Sequence, residues 1–231
     1  MSKPKLLILH GAIGDAKQMQ ALEMFLKDYF ELIFFNFFGH SGKAMKFENF
    51  SIDNFKIDLL QFLESEKLSE LFVFGYSMGA YVALKLASEN PTRFKKIVSL
   101  GTKFDWNKDS AEKEIKMLNP DKIEEKLPAF AEILNNRHAP NNWKTVLHKT
   151  AEMMLEEGEN PSLTEKDFAK ISIPVKLMVG SLDTVAGTEA TIQTAQKMKV
   201  AEWEIIENWP HPFEKIDLSF LAKKISEGFL G

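Results

Sequence analysis

One stretch decides the fold: Leu71-Phe72-Val73-Phe74-Gly75-Tyr76-Ser77-Met78-Gly79-Ala80-Tyr81-Val82-Ala83-Leu84-Lys85-Leu86. It begins with a continuous apolar run, Leu71–Phe74, which is typical of a strand covered on both faces of a parallel sheet. It ends with a series of helical character, Ala80–Leu86. Between them, Gly75–Gly79 matches the pattern G-x-S-x-G, which requires a strand, a sharp turn and a helix in this order. The stretch therefore predicts a strand-to-helix turn with Ser77 at its apex.

Ser77 has the surroundings that a nucleophilic serine needs. Side chains two residues to either side would collide in so sharp a turn, which explains Gly75 and Gly79. The hydroxyl would stand exposed at the start of a helix, where the helix dipole and free amides favour developing negative charge. We therefore predict that Ser77 is a nucleophile. The alternative is that Gly75–Gly79 forms a tight turn without a catalytic role.

The rest of the chain repeats a short apolar run followed by a stretch with helical spacing. The predicted strands are Lys5–Leu9, Glu31–Phe37, Glu70–Phe74, Lys96–Leu100, Val175–Val179 and Ala201–Ile206. The predicted helices are Ala16–Lys27, Ile52–Lys67, Met78–Ser88, Gly187–Lys199 and roughly Phe213–Phe229. This alternation predicts an α/β fold with a doubly wound, mostly parallel sheet of about six strands.

One interval, residues 103–170, contains no convincing strand. It reads as helix over Ser110–Leu118, Asp121–Asn135, Asn142–Glu157 and Glu165–Lys170. A long insertion in a tight α/β pattern is usually functional. We predict a single domain over residues 1–231, in which the insertion forms a helical cap over the carboxyl ends of the strands. An extra pair of helices on the side of the sheet is the alternative.

Composition excludes several classes of function. The 231 residues include no cysteine, which rules out a disulfide framework, a thiolate zinc site and a cysteine nucleophile. A net charge of −4 gives no electrostatic reason to expect nucleic acid or an anionic membrane as a partner. The amino-terminal residues lack the apolar region and cleavage site of a secretory signal, so a cytoplasmic location is expected.

A serine nucleophile needs a base, and the base needs an acid that orients it. His211 follows the last predicted strand, which places it at the carboxyl edge of the sheet together with Ser77. Asp183 follows the strand before it and precedes His211 by 28 residues (211 − 183), enough for one helix and one strand. Asp105 follows an earlier strand and is the rival acid. We predict Ser77, Asp183 and His211 as the catalytic residues.

The segment His10-Gly11-Ala12-Ile13-Gly14 follows the first strand directly and predicts an oxyanion loop. Acyl transfer requires two backbone N–H groups that point at the oxygen that becomes negative. The residue after the nucleophile, Met78, supplies one candidate amide, and Ala12 the other, with Ile13 as second choice. His10 is more simply interpreted as a residue that braces the loop than as a catalytic base.

These motifs together resemble the α/β-hydrolase superfamily, specifically its small, cap-bearing branch of esterases, thioesterases and C–C hydrolases. The resemblance rests on His10-Gly11, Phe38–Gly42, Gly75–Gly79, Gly180–Asp183 and the loop of His211. It implies that the first and third strands lie side by side and that Ser, Asp and His occur in this chain order. It also implies a structural role for His40 and, because the family's initial antiparallel hairpin is missing here, about six strands instead of eight.

The expected function is cleavage of a carboxylic ester or thioester in a small acyl substrate, without metal or organic cofactor. Haloalkane dehalogenases and epoxide hydrolases of this fold carry an aspartate at the position that corresponds to Ser77. Neither of these two activities is therefore expected. A C–C bond hydrolase or lyase with the same triad, or a non-catalytic ligand-binding module, remains open. Aromatic and methionine residues of the insertion either line an acyl pocket or form ordinary core: Phe104, Trp106, Met117, Phe130, Trp143, Met153 and Met154.

Overall fold

A computed structural model describes residues 3–230 and contains one six-stranded sheet. The strands are β1 (Lys5–Leu9), β2 (Glu31–Phe35), β3 (Leu71–Tyr76), β4 (Phe94–Leu100), β5 (Val175–Gly180) and β6 (Ala201–Ile206). Their order is β2-β1-β3-β4-β5-β6, and every neighbouring pair is parallel. The predicted doubly wound sheet is therefore confirmed.

Helices cover both faces of the sheet. Before β5 the chain forms α1 (Ala16–Met19), α2 (Glu23–Leu26), α3 (Ile52–Ser65), α4 (Met78–Glu89), α5 (Lys108–Ile115), α6 (Pro120–Lys126), α7 (Pro128–His138), α8 (Trp143–Glu159) and α9 (Glu165–Phe168). After β5 come α10 (Thr188–Gln196) and α11 (Leu218–Leu230). None of these helices, within residues 3–230, is long and apolar enough to cross a membrane.

The core consists of two layers that the sheet separates. In β1, Leu7 and Leu9 pack with α3 and α4, whereas Leu6 and Ile8 pack with α2 and α11 on the other face. Successive side chains of a strand point to opposite faces, so both sets must be apolar when both faces are covered. This double burial explains the continuous apolar runs in the sequence.

Two predicted helices are broken. Asp121–Asn135 is two helices, α6 and α7, because Pro128 lacks an N–H and disfavours helical geometry at the preceding residue. Leu127 accordingly has φ −136° and ψ 55°. Ala16–Lys27 is interrupted by a 3₁₀ turn between α1 and α2.

Several predicted boundaries also move. The second strand ends at Phe35 instead of Phe37. Pro212 precedes a 3₁₀ turn, Phe213–Lys215, and the last helix begins only at Leu218.

The first and third strands lie side by side, as the resemblance implied, with Leu9 opposite Gly75. Their carboxyl ends therefore bring the segment after His10 next to the segment of Ser77. A Cβ atom on Gly79 would lie 2.6 Å from the carbonyl oxygens of both Leu9 and His10. Glycine is required at this position because α4 begins directly against the end of β1.

Candidate active site

Ser77 sits on a strained turn between β3 and α4. Its φ of 50° and ψ of −119° lie in a region that residues with side chains rarely adopt. The Ser77 amide donates to the Leu100 carbonyl at 2.8 Å, which fixes the turn to the neighbouring strand. A Cβ atom on Gly75 would lie 2.5 Å from the backbone of Ala80. Both glycines of the motif are thus steric requirements of the turn.

The structure brings Ser77, His211 and Asp183 together in one hydrogen-bonded series. Ser77 Oγ lies 3.4 Å from His211 Nε2, and His211 Nδ1 lies 2.8 Å from Asp183 Oδ2. The second carboxylate oxygen of Asp183 accepts the amides of Val185 at 3.0 Å and Ala186 at 2.9 Å. Asp183 is therefore held by its own loop, and its free oxygen faces the imidazole. The longer serine contact is common in free enzymes and tightens when substrate binds.

The rival acid, Asp105, is placed elsewhere. Its side chain is half exposed, and its carboxylate accepts a hydrogen bond from Lys103 Nζ at 2.8 Å. Within residues 3–230 it makes no hydrogen bond with His211. Of the two candidates, only Asp183 can orient the imidazole in this structure.

Two residues that sequence reasoning did not single out lie against His211 and Asp183. Tyr76 donates its hydroxyl to the His211 carbonyl at 2.7 Å, and burial raises the pKa of this phenol, which keeps it a donor. Gly101, at the end of β4, has φ 65°, and a Cβ atom there would lie 3.0 Å from Asp183 Oδ2. The only sequence feature that could have indicated Tyr76 is its position inside the G-x-S-x-G motif. For Gly101, it is the position directly after a predicted strand.

The predicted oxyanion loop passes directly against the nucleophile turn. A Cβ atom on Gly11 would lie 3.3 Å from Cβ of Ser77. Ala12, Ile13 and Met78 line the same cavity as Ser77. Among residues 3–230, no protein acceptor takes a hydrogen bond from the amide of Ala12 or of Met78. Both amides are therefore available to a ligand oxygen.

The insertion fastens this loop. Ile13 has φ 53°, and its carbonyl accepts from Arg137 Nη1 at 3.0 Å and from His138 Nε2 at 3.1 Å. Both donors lie at the end of α7. The backbone beside Ala12 is thus held in a left-handed conformation by two side chains from the helical insertion.

His10 braces the loop rather than facing Ser77. Its Nε2 accepts the Phe37 amide at 3.2 Å, so its Nδ1 carries the proton and donates to the Gly11 carbonyl at 2.8 Å. The ring is fully buried, and burial lowers its pKa to about 4. His40 and His138 continue a row of buried rings, with centroids 5.2 Å and 5.5 Å apart.

Acid is expected to destabilise the fold between about pH 6.5 and pH 4 because these three histidines are buried as neutral rings. Burial lowers the pKa of His138 to about 4 and that of His40 well below its ordinary value. In this window the unfolded chain binds protons that the folded chain does not. Each histidine then lowers the free energy of unfolding by about 1.4 kcal/mol per pH unit.

Urea denaturation between pH 7 and pH 4.5 measures this slope. His40→Gln should reduce it, whereas His148→Gln, at an exposed position of α8, should not. A slope that is the same in wild type and His40→Gln would show that this ring is protonated in the folded protein.

Ser77 and His211 open into a cavity of about 240 Å³. The insertion contributes apolar side chains to its wall: Trp106, Met117, Leu118, Phe130, Met153 and Met154. Phe104 and Trp143, which the sequence also offered as pocket residues, are core instead. Phe104 packs against Tyr81 and Phe168, and Trp143 belongs to a cluster between the helices of the insertion.

The cavity wall also contains charged residues that the sequence did not mark: Lys103, Glu114, Arg137, Glu157 and Glu214. Glu114, Arg137 and Glu157 lie on helices, where a charge in the sequence is ordinarily interpreted as part of a solvated face, so they gave no signal. Within residues 3–230, no group of three or more His, Asp or Glu side chains is arranged to hold a metal ion.

Comparison with known proteins identifies the family. A family model described as alpha/beta hydrolase fold matches residues 4–176. The chain belongs to the α/β-hydrolase family. The resemblance read from the sequence motifs is thereby confirmed, and the six-stranded parallel sheet agrees with it.

This α/β hydrolase is similar over nearly its whole length to solved structures of the same fold. A hydrolase from a Medee basin deep-sea metagenome library is 16% identical with a TM-score of 0.81, covering 100% of this chain and 90% of that chain. An esterase from Exiguobacterium antarcticum is 15% identical (TM-score 0.80, 98% and 91% covered). The enol-lactonase from Burkholderia xenovorans is 14% identical (TM-score 0.75, 100% of this chain and 93% of that chain covered). No curated protein matches. At these identities, the likeness shows the fold alone.

Proposed function

We propose that this α/β hydrolase is a serine hydrolase that cleaves carboxylic esters or thioesters through an acyl-enzyme on Ser77. The observation that carries the proposal is the series Ser77–His211–Asp183 at the wall of a largely apolar cavity. A nucleophile, a base and an orienting acid in this geometry are the parts that acyl transfer needs. Solved structures of the same fold include esterases, which agrees with this chemistry.

The reaction would proceed in two halves. Ser77 Oγ attacks the carbonyl carbon while His211 Nε2 takes its proton, and Asp183 stabilises the imidazolium. His211 then gives this proton to the departing alkoxide or thiolate, which leaves the acyl group on Ser77. In the second half, His211 takes a proton from water, the hydroxide attacks the acyl carbon, and the proton returns to Ser77 as the acid departs.

The oxyanion of each tetrahedral intermediate would be held by the amides of Ala12 and Met78. Donors aimed at a developing charge in a water-poor site stabilise the transition state strongly. The start of α4 adds the positive end of its dipole at the same point. Ile13 remains the second choice for the first amide, because it lines the cavity as well.

We further propose that residues 103–170 act as a cap within a single domain. Side chains from α7 and α8 line the same cavity as Ser77. The contacts of Arg137 and His138 with Ile13 join the insertion to the oxyanion loop. A cap in this position would select the acyl group and exclude water around the reacting carbon.

The proposal is tested with wild-type protein on p-nitrophenyl esters of acetate to decanoate and on acyl-coenzyme A thioesters of the same lengths. Turnover is expected on at least one length, with the optimum set by the 240 Å³ cavity. Incubation of the same protein with a β-diketone in place of the ester tests whether it is instead a C–C bond hydrolase. Absence of turnover on every ester and thioester would contradict the proposal.

A further inference from the structure

Glu114 is a buried carboxylate in the cavity wall that lacks a hydrogen-bond donor. It lies on α5, is 5% exposed and lines the cavity that contains Ser77 and His211. Its closest cation is Lys103 Nζ at 3.9 Å, which is too far for a hydrogen bond. Among residues 3–230, no amide, hydroxyl or ammonium group donates to it.

Lys103 does not satisfy this carboxylate because its ammonium group is engaged elsewhere. It donates to Asp105 Oδ1 at 2.8 Å and to the Val185 carbonyl at 3.2 Å. Burial raises the pKa of Glu114, which shows that its surroundings stabilise the charge poorly. The side chain is almost wholly buried, but its oxygens are accessible from the cavity, where a donor on a ligand could pair with them.

The other carboxylates of the cavity wall have their donors. Glu214 accepts from Gln18 Nε2 at 2.7 Å and lies 3.6 Å from the guanidinium of Arg137. Arg137 also lies 3.8 Å from Asp15. This cation is thus balanced by two carboxylates and offers no free charge to an anionic substrate.

Glu157 is satisfied in a different way. It accepts the Tyr81 hydroxyl at 3.1 Å and the Ser162 amide at 2.9 Å. Among residues 3–230, Glu114 is therefore the one carboxylate of this wall that accepts no hydrogen bond at either oxygen.

We propose that Glu114 is a substrate-binding residue that accepts a hydrogen bond from a hydroxyl or ammonium group on the acyl chain. The inference rests on the proposed function and adds the substrate class: esters or thioesters of acids whose chain carries a hydrogen-bond donor. Met117 and Leu118, which follow Glu114 by three and four residues and line the same cavity, would contact the aliphatic part of the chain.

A carboxylate at this position would discriminate against two kinds of acyl chain. A buried acceptor built for a substrate donor rejects an analogue that lacks the donor, because the acceptor is then left unpaired. It rejects an acyl chain that ends in a carboxylate through like-charge repulsion. The cavity therefore favours donor-terminated chains over methyl-terminated ones, and disfavours anionic chains most.

The test uses four p-nitrophenyl esters of similar length: heptanoate, 6-hydroxyhexanoate, 6-aminohexanoate and the adipate monoester. A second set of four esters carries the same terminal groups on acyl chains that are two methylene groups longer. In wild type, kcat/KM for the hydroxyl and ammonium ends is expected to exceed that for the methyl end by about tenfold. The adipate monoester is expected to be the poorest substrate.

Three variants separate binding from folding. Glu114→Gln should keep part of the hydroxyl preference and lose the ammonium preference, because it retains an acceptor but no charge. Glu114→Leu should lose both preferences and improve the methyl-terminated ester. Glu112→Gln, at an exposed position of the same helix, should change none of the ratios.

The two hypotheses fail differently. If wild type hydrolyses none of the esters, the proposed function fails. If wild type hydrolyses them without preference for a donor, or if the Glu114 variants change all four rates by one common factor, the subsite is overturned while the serine hydrolase stands. Thermal melting of each variant identifies the case in which Glu114 only stabilises the insertion.

Discussion

Ser77→Ala and His211→Ala are each expected to lower kcat/KM on an activated ester by about 10,000-fold, and the double variant by no more than either one alone. The reason is that the hydroxyl and the imidazole act as one unit at 3.4 Å, so either loss removes nucleophilic attack altogether. Initial rates on the best p-nitrophenyl ester measure the effect.

His148→Ala is the matched control, because this histidine lies at an exposed position of α8. It should keep wild-type kinetics. Effects of Ser77→Ala and His211→Ala that multiply in the double variant would indicate independent roles and contradict the proposed pair.

The second large effect is expected for Asp183→Asn, which should lower kcat by about 1,000-fold or more. The change retains the shape of the side chain but replaces a carboxylate with an amide, so the Nδ1 proton of His211 loses its acceptor. Because the Val185 and Ala186 amides bind the other oxygen, the loop should stay in place. The thermal melting temperature distinguishes loss of chemistry from loss of structure.

Asp105→Asn is the matched control on the rival acid. It removes the ion pair with Lys103 but no contact with the imidazole, so kcat is expected to change by less than about threefold. A large loss with Asp105→Asn, together with a small one for Asp183→Asn, would move the acid to the end of β4.

The sheet could be predicted from the sequence because its four central strands, β1, β3, β4 and β5, are largely buried on both faces. The apolar run Leu71–Phe74 and the glycines around Ser77 constrain the chain locally, and the pairing of the first strand with the third follows from the family that they indicate. Helix interruptions were harder to predict. Pro128 breaks α6 from α7 although residues on both sides keep helical spacing, and spacing alone does not show a break.

The positions of Ser77 and His211 at one edge of the sheet also follow from their places after parallel strands. The choice between Asp183 and Asp105 does not, because both follow neighbouring strands and either could reach the imidazole. In the structure, the side chain of Asp183 contacts His211 in space that Gly101 leaves open, whereas the side chain of Asp105 contacts Lys103. Glu114 carried no signal in the sequence because burial of a single glutamate depends on how α5 packs, which local sequence does not encode.

The most direct test of the account is to react the protein with a fluorophosphonate and to locate the adduct by peptide mass spectrometry. The account predicts one adduct per chain, on Ser77, with ester turnover falling in proportion to labelling. Prior addition of a saturating ester should slow the labelling. An adduct on another residue, or turnover that persists when Ser77 is fully labelled, would contradict the claim that this hydroxyl carries the acyl group.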